Sequence, residues 1–180
     1  MDRNRLRVML EIALMSALGI ILGYVKFGAF WAYGGSISLV MVPIFIIAFR
    51  RGWKAGVLTG IIVGLLKLLL GSTTVHPVQL VLDYPLAYGV IGFAGLVVLR
   101  QKALTVSMMI TGLLIGVVLR LAAHFSSGVV WFGHYAPEGI PVVLYSILYN
   151  LSYLVPEAII TLIVMILLSK SSQEFFKPRA

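Results

Sequence analysis

Apolar residues run in long stretches near 7–25, 36–50, 55–72, 78–99, 104–126 and 140–169. Short gaps at 26–35, 50–54, 72–77, 100–103 and 127–140 separate them. A helix that crosses a bilayer needs about 20 mostly apolar residues. The pattern therefore predicts an all-α membrane protein of about six transmembrane helices, organised as one domain over residues 1–180. The second run is short, and the last is long enough to begin outside the hydrocarbon. Basic residues followed by an apolar run have the order of a signal peptide. No small-x-small cleavage site ends that run at signal-peptide length and more spans follow, so the first run is expected to be a retained helix.

Composition agrees with lipid as the main solvent. Only 11% of the 180 residues are charged and the mean hydropathy is +1.06, whereas a soluble domain carries about 25% charged residues to wet its surface. The formal charge of +8 would fit nucleic acid if it formed a patch on a polar domain. It does not. Eleven of the fourteen basic residues fall at the two ends and in alternate gaps: Arg3, Arg5, Arg7, Arg50, Arg51, Lys54, Arg100, Lys102, Lys170, Lys177 and Arg179. The bias of Lys and Arg toward cytoplasmic loops places those segments, and both termini, in the cytoplasm. The outer loops are then 26–35, 72–77 and 127–140, and no nucleic-acid partner is expected. The chain has no cysteine, which excludes disulfides and thiolate metal sites.

Helices in lipid gain little from apolar contact and pack through small residues. Gly56, Gly60 and Gly64 repeat at four-residue spacing on the third run, Gly19 and Gly23 on the first, and Gly112 and Gly116 on the fifth. Packing within the subunit accounts for most of these. Ala13 and Ala17 form a similar pair on the first run.

The candidate chemistry lies toward the outer face. The first outer loop carries Trp31 and Tyr33, and the third carries Trp131, Phe132, His134 and Tyr135, while the cytoplasmic gaps are mostly basic. An interfacial aromatic belt should appear on both faces, so the asymmetry favours an aromatic cavity on one. Ionisable groups at membrane depth are costly and face a cavity or a partner. Asp83 and Tyr84 on the fourth run, His124 on the fifth, and Tyr145, Tyr149 and Asn150 on the sixth are expected to converge there. Each has a plainer reading: Asp83 as a helix cap, His124 as a packing residue, Asn150 as interhelical glue and the tyrosines as belt residues. Their shared position carries the argument. Asn150, Tyr153 and Glu157 share a stripe on the sixth helix. Arg120 and Lys67 are the available partners for Glu157, and a buried Glu157–Arg120 pair is expected to hold helices together.

Several chemistries are missing. No GxxxxGK[ST] loop occurs, so the chain does not hydrolyse ATP by itself. The histidines lack the HExxH spacing of a zinc helix, and no nucleophile and base stand in a supporting arrangement. A single carboxylate with no paired acid is a poor hydrolase and a good counter-ion. Aromatic faces attract desolvated cations by about 0.5–2 kcal/mol each, so the set suits a flat organic cation. No enzymatic activity, cofactor or metal is expected.

Five stretches then carry a family resemblance: Gly34-Gly35-Ser36-Ile37-Ser38 with Met41-Val42-Pro43, Phe49-Arg50-Arg51-Gly52, His76 through Tyr84, Ala122 through Gly128, and Tyr135-Ala136-Pro137-Glu138-Gly139 continuing to Tyr145, Tyr149 and Asn150. In that order they resemble the thiamine-specific substrate-binding (S) components of bacterial energy-coupling factor (ECF) transporters, the ThiT/YuaJ family. The resemblance covers nearly the whole chain. It implies a six-helix fold in the bacterial cell membrane with thiamine bound near the outer face under the first loop. It maps the family's acidic residue to Asp83, its imidazole to His124, and its tyrosine and amide to Tyr145 and Asn150. The stacking aromatic falls at Phe132, with Trp131 adjacent. The first-loop aromatic falls at Gly34, with Trp31 or Tyr33 close by. Tyr84 and Tyr135 complete the expected site. The resemblance also assigns Ala13 and Ala17 to docking on a transmembrane scaffold subunit, which two ATPase subunits join. A binding subunit for another vitamin and a membrane-embedded enzyme are the alternatives.

Overall fold

The computed structural model describes residues 2–27, 35–71, 74–99, 103–172 and 176. Trp31, Tyr33 and Gly34 lie outside the described residues. The six expected helices are present: α1 Arg3–Tyr24, α2 Met41–Arg51, α3 Trp53–Leu69, α4 Pro77–Val98, α5 Val106–Trp131 and α6 Val142–Ser171. Two short strands, β1 Lys26–Phe27 and β2 Ile37–Ser38, flank the first loop and pair antiparallel, with Lys26 opposite Ser38.

Four helices, α1, α4, α5 and α6, are long and apolar enough to cross a bilayer. They expose large apolar side chains outward, including Leu14, Leu114 and Leu167. In water such surfaces would be a liability; in lipid they are the ordinary outer face of a bundle. Helix α2 has 11 residues, which at 1.5 Å per residue span about 16 Å, roughly half the hydrocarbon thickness. Every residue from Met41 to Phe49 is buried, so α2 is the central core of the bundle. Phe45 and Phe49 stack along it at 6.0 Å. Because α2 is short, it fills only one half of the bundle's interior. The other half stays open.

Helix ends follow local chemistry. Asp2 accepts a hydrogen bond from the Asn4 N–H at the start of α1 and Thr105 accepts one from Met108 at the start of α5. His76 does the same for Val78, with Pro77 at the first position of α4, where its missing N–H costs nothing. At the turn between α2 and α3, Gly52 has φ of +84°, a conformation open to glycine at little cost. The apolar run expected to end at 126 continues as helix to Trp131. Ser126, Ser127 and Gly128 lower the hydropathy there without breaking the helix, because the Ser126 hydroxyl bonds back to the Ala122 carbonyl at 2.8 Å.

The glycine repeat of α3 is an interface within the subunit. A Cβ on Gly60 would collide with the Tyr88 carbonyl, one on Gly64 with the Tyr84 carbonyl, and one on Gly56 with the Gly92 backbone. Helix α4, pressed against it, is irregular. Pro85 lacks an N–H, and in α winding its ring would meet the carbonyl four residues back. The backbone widens to a π turn over Leu82–Leu86, then tightens to 3-10 winding over Val90–Val98. Single π turns inside helices recur at functional sites, and this one contains Asp83 and Tyr84.

Two ionic clusters tie the helices. In the first half of α1, Glu11 accepts from Arg51 Nε and Nη2 at 2.8 Å and pairs with Arg50 at 3.2 Å. Across the bundle, Arg120 and Glu157 form the expected pair at 2.8 Å, with side chains only 4% and 1% exposed. Lys67 points elsewhere: its Nζ sits 5.4 Å from the centre of the Tyr88 ring.

Candidate functional site

The open half of the bundle holds a cavity of about 320 Å³, at the lower end of the range for small-molecule sites. All six helices except α2 contribute to its wall, together with Lys26, Gly35 and Ser36 on either side of the first loop. The cavity collects seven of the chain's eight tyrosines: Tyr24, Tyr84, Tyr88, Tyr135, Tyr145, Tyr149 and Tyr153. A pair of interfacial belts would have divided them between the two faces. Their gathering at one place marks a cavity lining.

The expected residues come together. Asp83, Tyr84, His124, Phe132, Tyr135, Tyr145 and Asn150 all line this one cavity. Asp83 does not cap a helix: it lies inside α4, whose cap is His76. Its Oδ2 accepts from Gln79 Nε2 at 2.7 Å and from Ser127 Oγ at 2.8 Å, and its Oδ1 lies 3.1 Å from His124 Nδ1. The tautomer of His124 follows from its other side. Arg120 Nε sits 3.3 Å from His124 Nε2, and an arginine nitrogen only donates. Nε2 therefore accepts, the ring is neutral, and Nδ1–H donates to Asp83. All three donors to Asp83 are neutral.

Behind them, Arg120 donates to Glu157 and to the Tyr88 hydroxyl, and its guanidinium lies 4.6 Å from the centre of the Tyr88 ring. Ser38, at the end of β2, donates to Glu157 Oε1 at 2.8 Å. On α6, Asn150 donates to the Ser146 carbonyl at 2.9 Å and accepts from the Tyr153 hydroxyl. Tyr145, Tyr149 and Tyr153 form a ladder with ring centres 5.8 and 6.0 Å apart. The Tyr149 hydroxyl accepts from the Gly35 N–H at 3.4 Å, which fastens the end of the first loop to this ladder. Near the mouth Phe132 stacks with Tyr135 at 6.3 Å.

Trp131 is the exception among the described candidates. It does not line the cavity; its ring stacks on His76 at 5.2 Å. Each helical residue turns about 100°, so the four-residue row Arg120, His124, Gly128, Phe132 drifts toward α6 and the cavity. Trp131, about 100° behind Phe132 on the same winding, faces the start of α4 with Ser127. Of the two aromatic neighbours, Phe132 is the one on the cavity wall. Trp31 lies outside the described residues.

Sequence reasoning missed several residues of the site. Gln79 and Ser127 are buried, and nothing in hydropathy separates them from ordinary helix polar residues. The spacing of Gln79 four residues before Asp83 was the available signal. Lys26 and Lys67 also reach the wall; Lys26 lies in the first gap, and Lys67 was expected only as a possible partner for Glu157. Tyr88 was hidden inside an apolar run.

The family described as thiamine transporter protein (Thia_YuaJ) matches residues 9–177. The thiamine transporter ThiT of Bacillus subtilis (strain 168) is 42% identical over 180 residues, covering 94% of this chain and 93% of that protein. The thiamine transporter ThiT of Lacticaseibacillus paracasei is 30% identical over 187 residues, covering 97% and 92%. Among solved structures, ThiT from Listeria monocytogenes superposes with a TM-score of 0.86 at 30% identity, covering 98% of this chain and all of that one. The S component of a bacterial ECF transporter superposes at 0.62 with 22% identity over 93% and 95% of the two chains; that likeness is one of fold. The chain is a multi-pass protein of the bacterial cell membrane, and it belongs to the thiamine transporter (ThiT/YuaJ) family.

Proposed function

We propose that this chain is the substrate-binding S component of an ECF-type importer and that its cavity takes thiamine from the outer side. The observation that carries the reading is Asp83: a partly buried carboxylate held by three neutral donors within a tyrosine-rich wall. An ionised group out of water is costly unless a counter-charge meets it. A flat aromatic cation supplies that charge and faces for the rings at once. In this reading Asp83 offsets the ligand's positive ring, Phe132 and Tyr135 stack near the mouth, and His124, Tyr84, Tyr145 and Asn150 fix its polar edges. Its relatives are named as transporters rather than enzymes.

Energy comes from elsewhere, since the chain has no phosphate loop. A transmembrane scaffold and two ATPase subunits are the proposed partners, with both termini of this chain in the cytoplasm. Ala13 and Ala17 are exposed on α1, turned about a third of the way round from the buried Ile12, Ser16 and Gly19, as a docking face for the scaffold requires. Replacing both with Trp is expected to abolish uptake in cells that supply the partners and to leave thiamine binding by the isolated subunit intact. Loss of binding as well would return those alanines to internal packing.

The central test is calorimetric titration of the detergent-solubilised protein with thiamine, riboflavin and biotin. Saturable binding of thiamine at micromolar or lower concentration, without the other two, is expected. Tighter binding of either competitor would move the chain to another vitamin.

A further inference from the structure

We propose that Glu157, which does not line the cavity, sets the electrostatic sign of the site by cancelling Arg120. The inference rests on the reading of Asp83 as counter-charge to a cationic ligand and names a residue that makes that role possible. A row of contacts runs from the cavity into the bundle: Asp83 to His124 at 3.1 Å, His124 to Arg120 at 3.3 Å, and Arg120 to Glu157 at 2.8 Å. With His124 neutral, the row holds one cation between two anions. Glu157 is fully buried and Arg120 nearly so, so little water screens them. Arg120 lines the cavity and Glu157 does not.

Without Glu157, the guanidinium would stand one imidazole away from Asp83 with no other anion in the row. Its field would cancel that of Asp83 and repel a ligand cation. With Glu157 in place, the inner pair is neutral and the charge of Asp83 is what an incoming ligand meets. Lys26 and Lys67 add positive charge to the wall, but Lys26 is exposed and Lys67 partly so, and salt water screens such groups.

The two members of the pair differ in what happens when each is left alone. A guanidinium stays charged in proteins. A lone buried carboxylate takes up a proton instead. Glu157→Gln therefore exposes a positive charge to the site, whereas Arg120→Gln leaves a neutral acid and an unchanged balance. A pair that only glued helices together would show no such asymmetry.

The experiment measures dissociation constants for thiamine and for an analogue whose thiazolium is replaced by a neutral aromatic ring, and compares their ratio across variants. Glu157→Gln is expected to lower the preference for the cation on the order of tenfold or more. Arg120→Gln and the double variant Arg120→Gln/Glu157→Gln are expected to keep the wild-type ratio within about twofold, whatever their effect on overall affinity. Equal losses for both ligands in Glu157→Gln would overturn the proposal and leave the pair a helix tie. If Glu157→Gln does not fold, the double variant carries the test, since it holds no unpaired charge, and a lowered ratio there would equally overturn it. Wild-type protein that binds no thiamine would instead sink the vitamin reading itself, and this inference with it.

Discussion

Glu11 and Asp83 each accept three hydrogen bonds, and of these two carboxylates only Asp83 faces the ligand-sized cavity. Glu11 accepts from Arg51 Nε and Nη2 at 2.8 Å and from an Arg50 nitrogen at 3.4 Å, with a second Arg50 nitrogen 3.2 Å away. Its oxygens are filled and its charge is more than matched by two guanidiniums. Asp83 accepts three hydrogen bonds, from an amide, a hydroxyl and a neutral imidazole. A carboxylate has about four acceptor directions, so Asp83 keeps one open, and none of its donors brings a positive charge. Glu11 is finished as it stands. Asp83 is oriented, desolvated and still lacks a counter-charge, which is what a binding site for a cation needs before the cation arrives.

The contrast breaks most sharply when each acid is replaced by its amide. Asp83→Asn removes the uncompensated charge. It is expected to weaken thiamine binding on the order of a hundredfold, in line with losing one partner of a desolvated, hydrogen-bonded charge pair, while a neutral-ring analogue loses far less. Thermal unfolding should change little, because no cation is left stranded. Glu11→Gln should do the reverse. It leaves two arginines without their acid, so stability is expected to fall by about 1–3 kcal/mol with thiamine affinity held within a few fold. Titration and unfolding of both variants in one detergent check the two halves together. If Glu11→Gln lost affinity as Asp83→Asn does, the Glu11 cluster would be coupled to the cavity and the contrast would be mistaken.

The two clusters also differ in how far the sequence announced them. Asp83 and His124 stood out because charge in an apolar run is expensive, and so did Glu157 with Arg120. Glu11 did not: it lies early in the first apolar run, close behind Arg3, Arg5 and Arg7, and reads as part of that charged end. Hydropathy located all six helices because it counts apolar length. It could not say that α2 is buried from Met41 to Phe49 while α1 is largely exposed: lipid and protein core select the same side chains. The winding of α4 was equally hidden. A proline disturbs the helix it sits in, but whether Pro85 kinks α4 or opens a π turn depends on the backbone of α3, which presses against it at Gly60 and Gly64. The donors to Asp83 depend on that winding, so Gln79 and Ser127 became visible only with it.

The same limit explains the smallest effect expected here. Trp131 and Phe132 are neighbours, both aromatic, and the sequence alone left both as candidates. Phe132 lies on the cavity wall beside Tyr135, while Trp131 stacks on His76 outside it. A ring stacked on a desolvated cation contributes about 0.5–2 kcal/mol. Phe132→Ala should therefore weaken thiamine binding by roughly threefold to thirtyfold, and Phe132→Tyr should largely keep it. Trp131→Ala removes a contact at the start of α4 that the ligand does not share, so affinity should stay within about twofold. Titrating the three variants side by side measures the difference. A larger loss in Trp131→Ala than in Phe132→Ala would mean that the bound state turns the end of α5 by about one residue, and that this part of the wall is built only when the ligand is present.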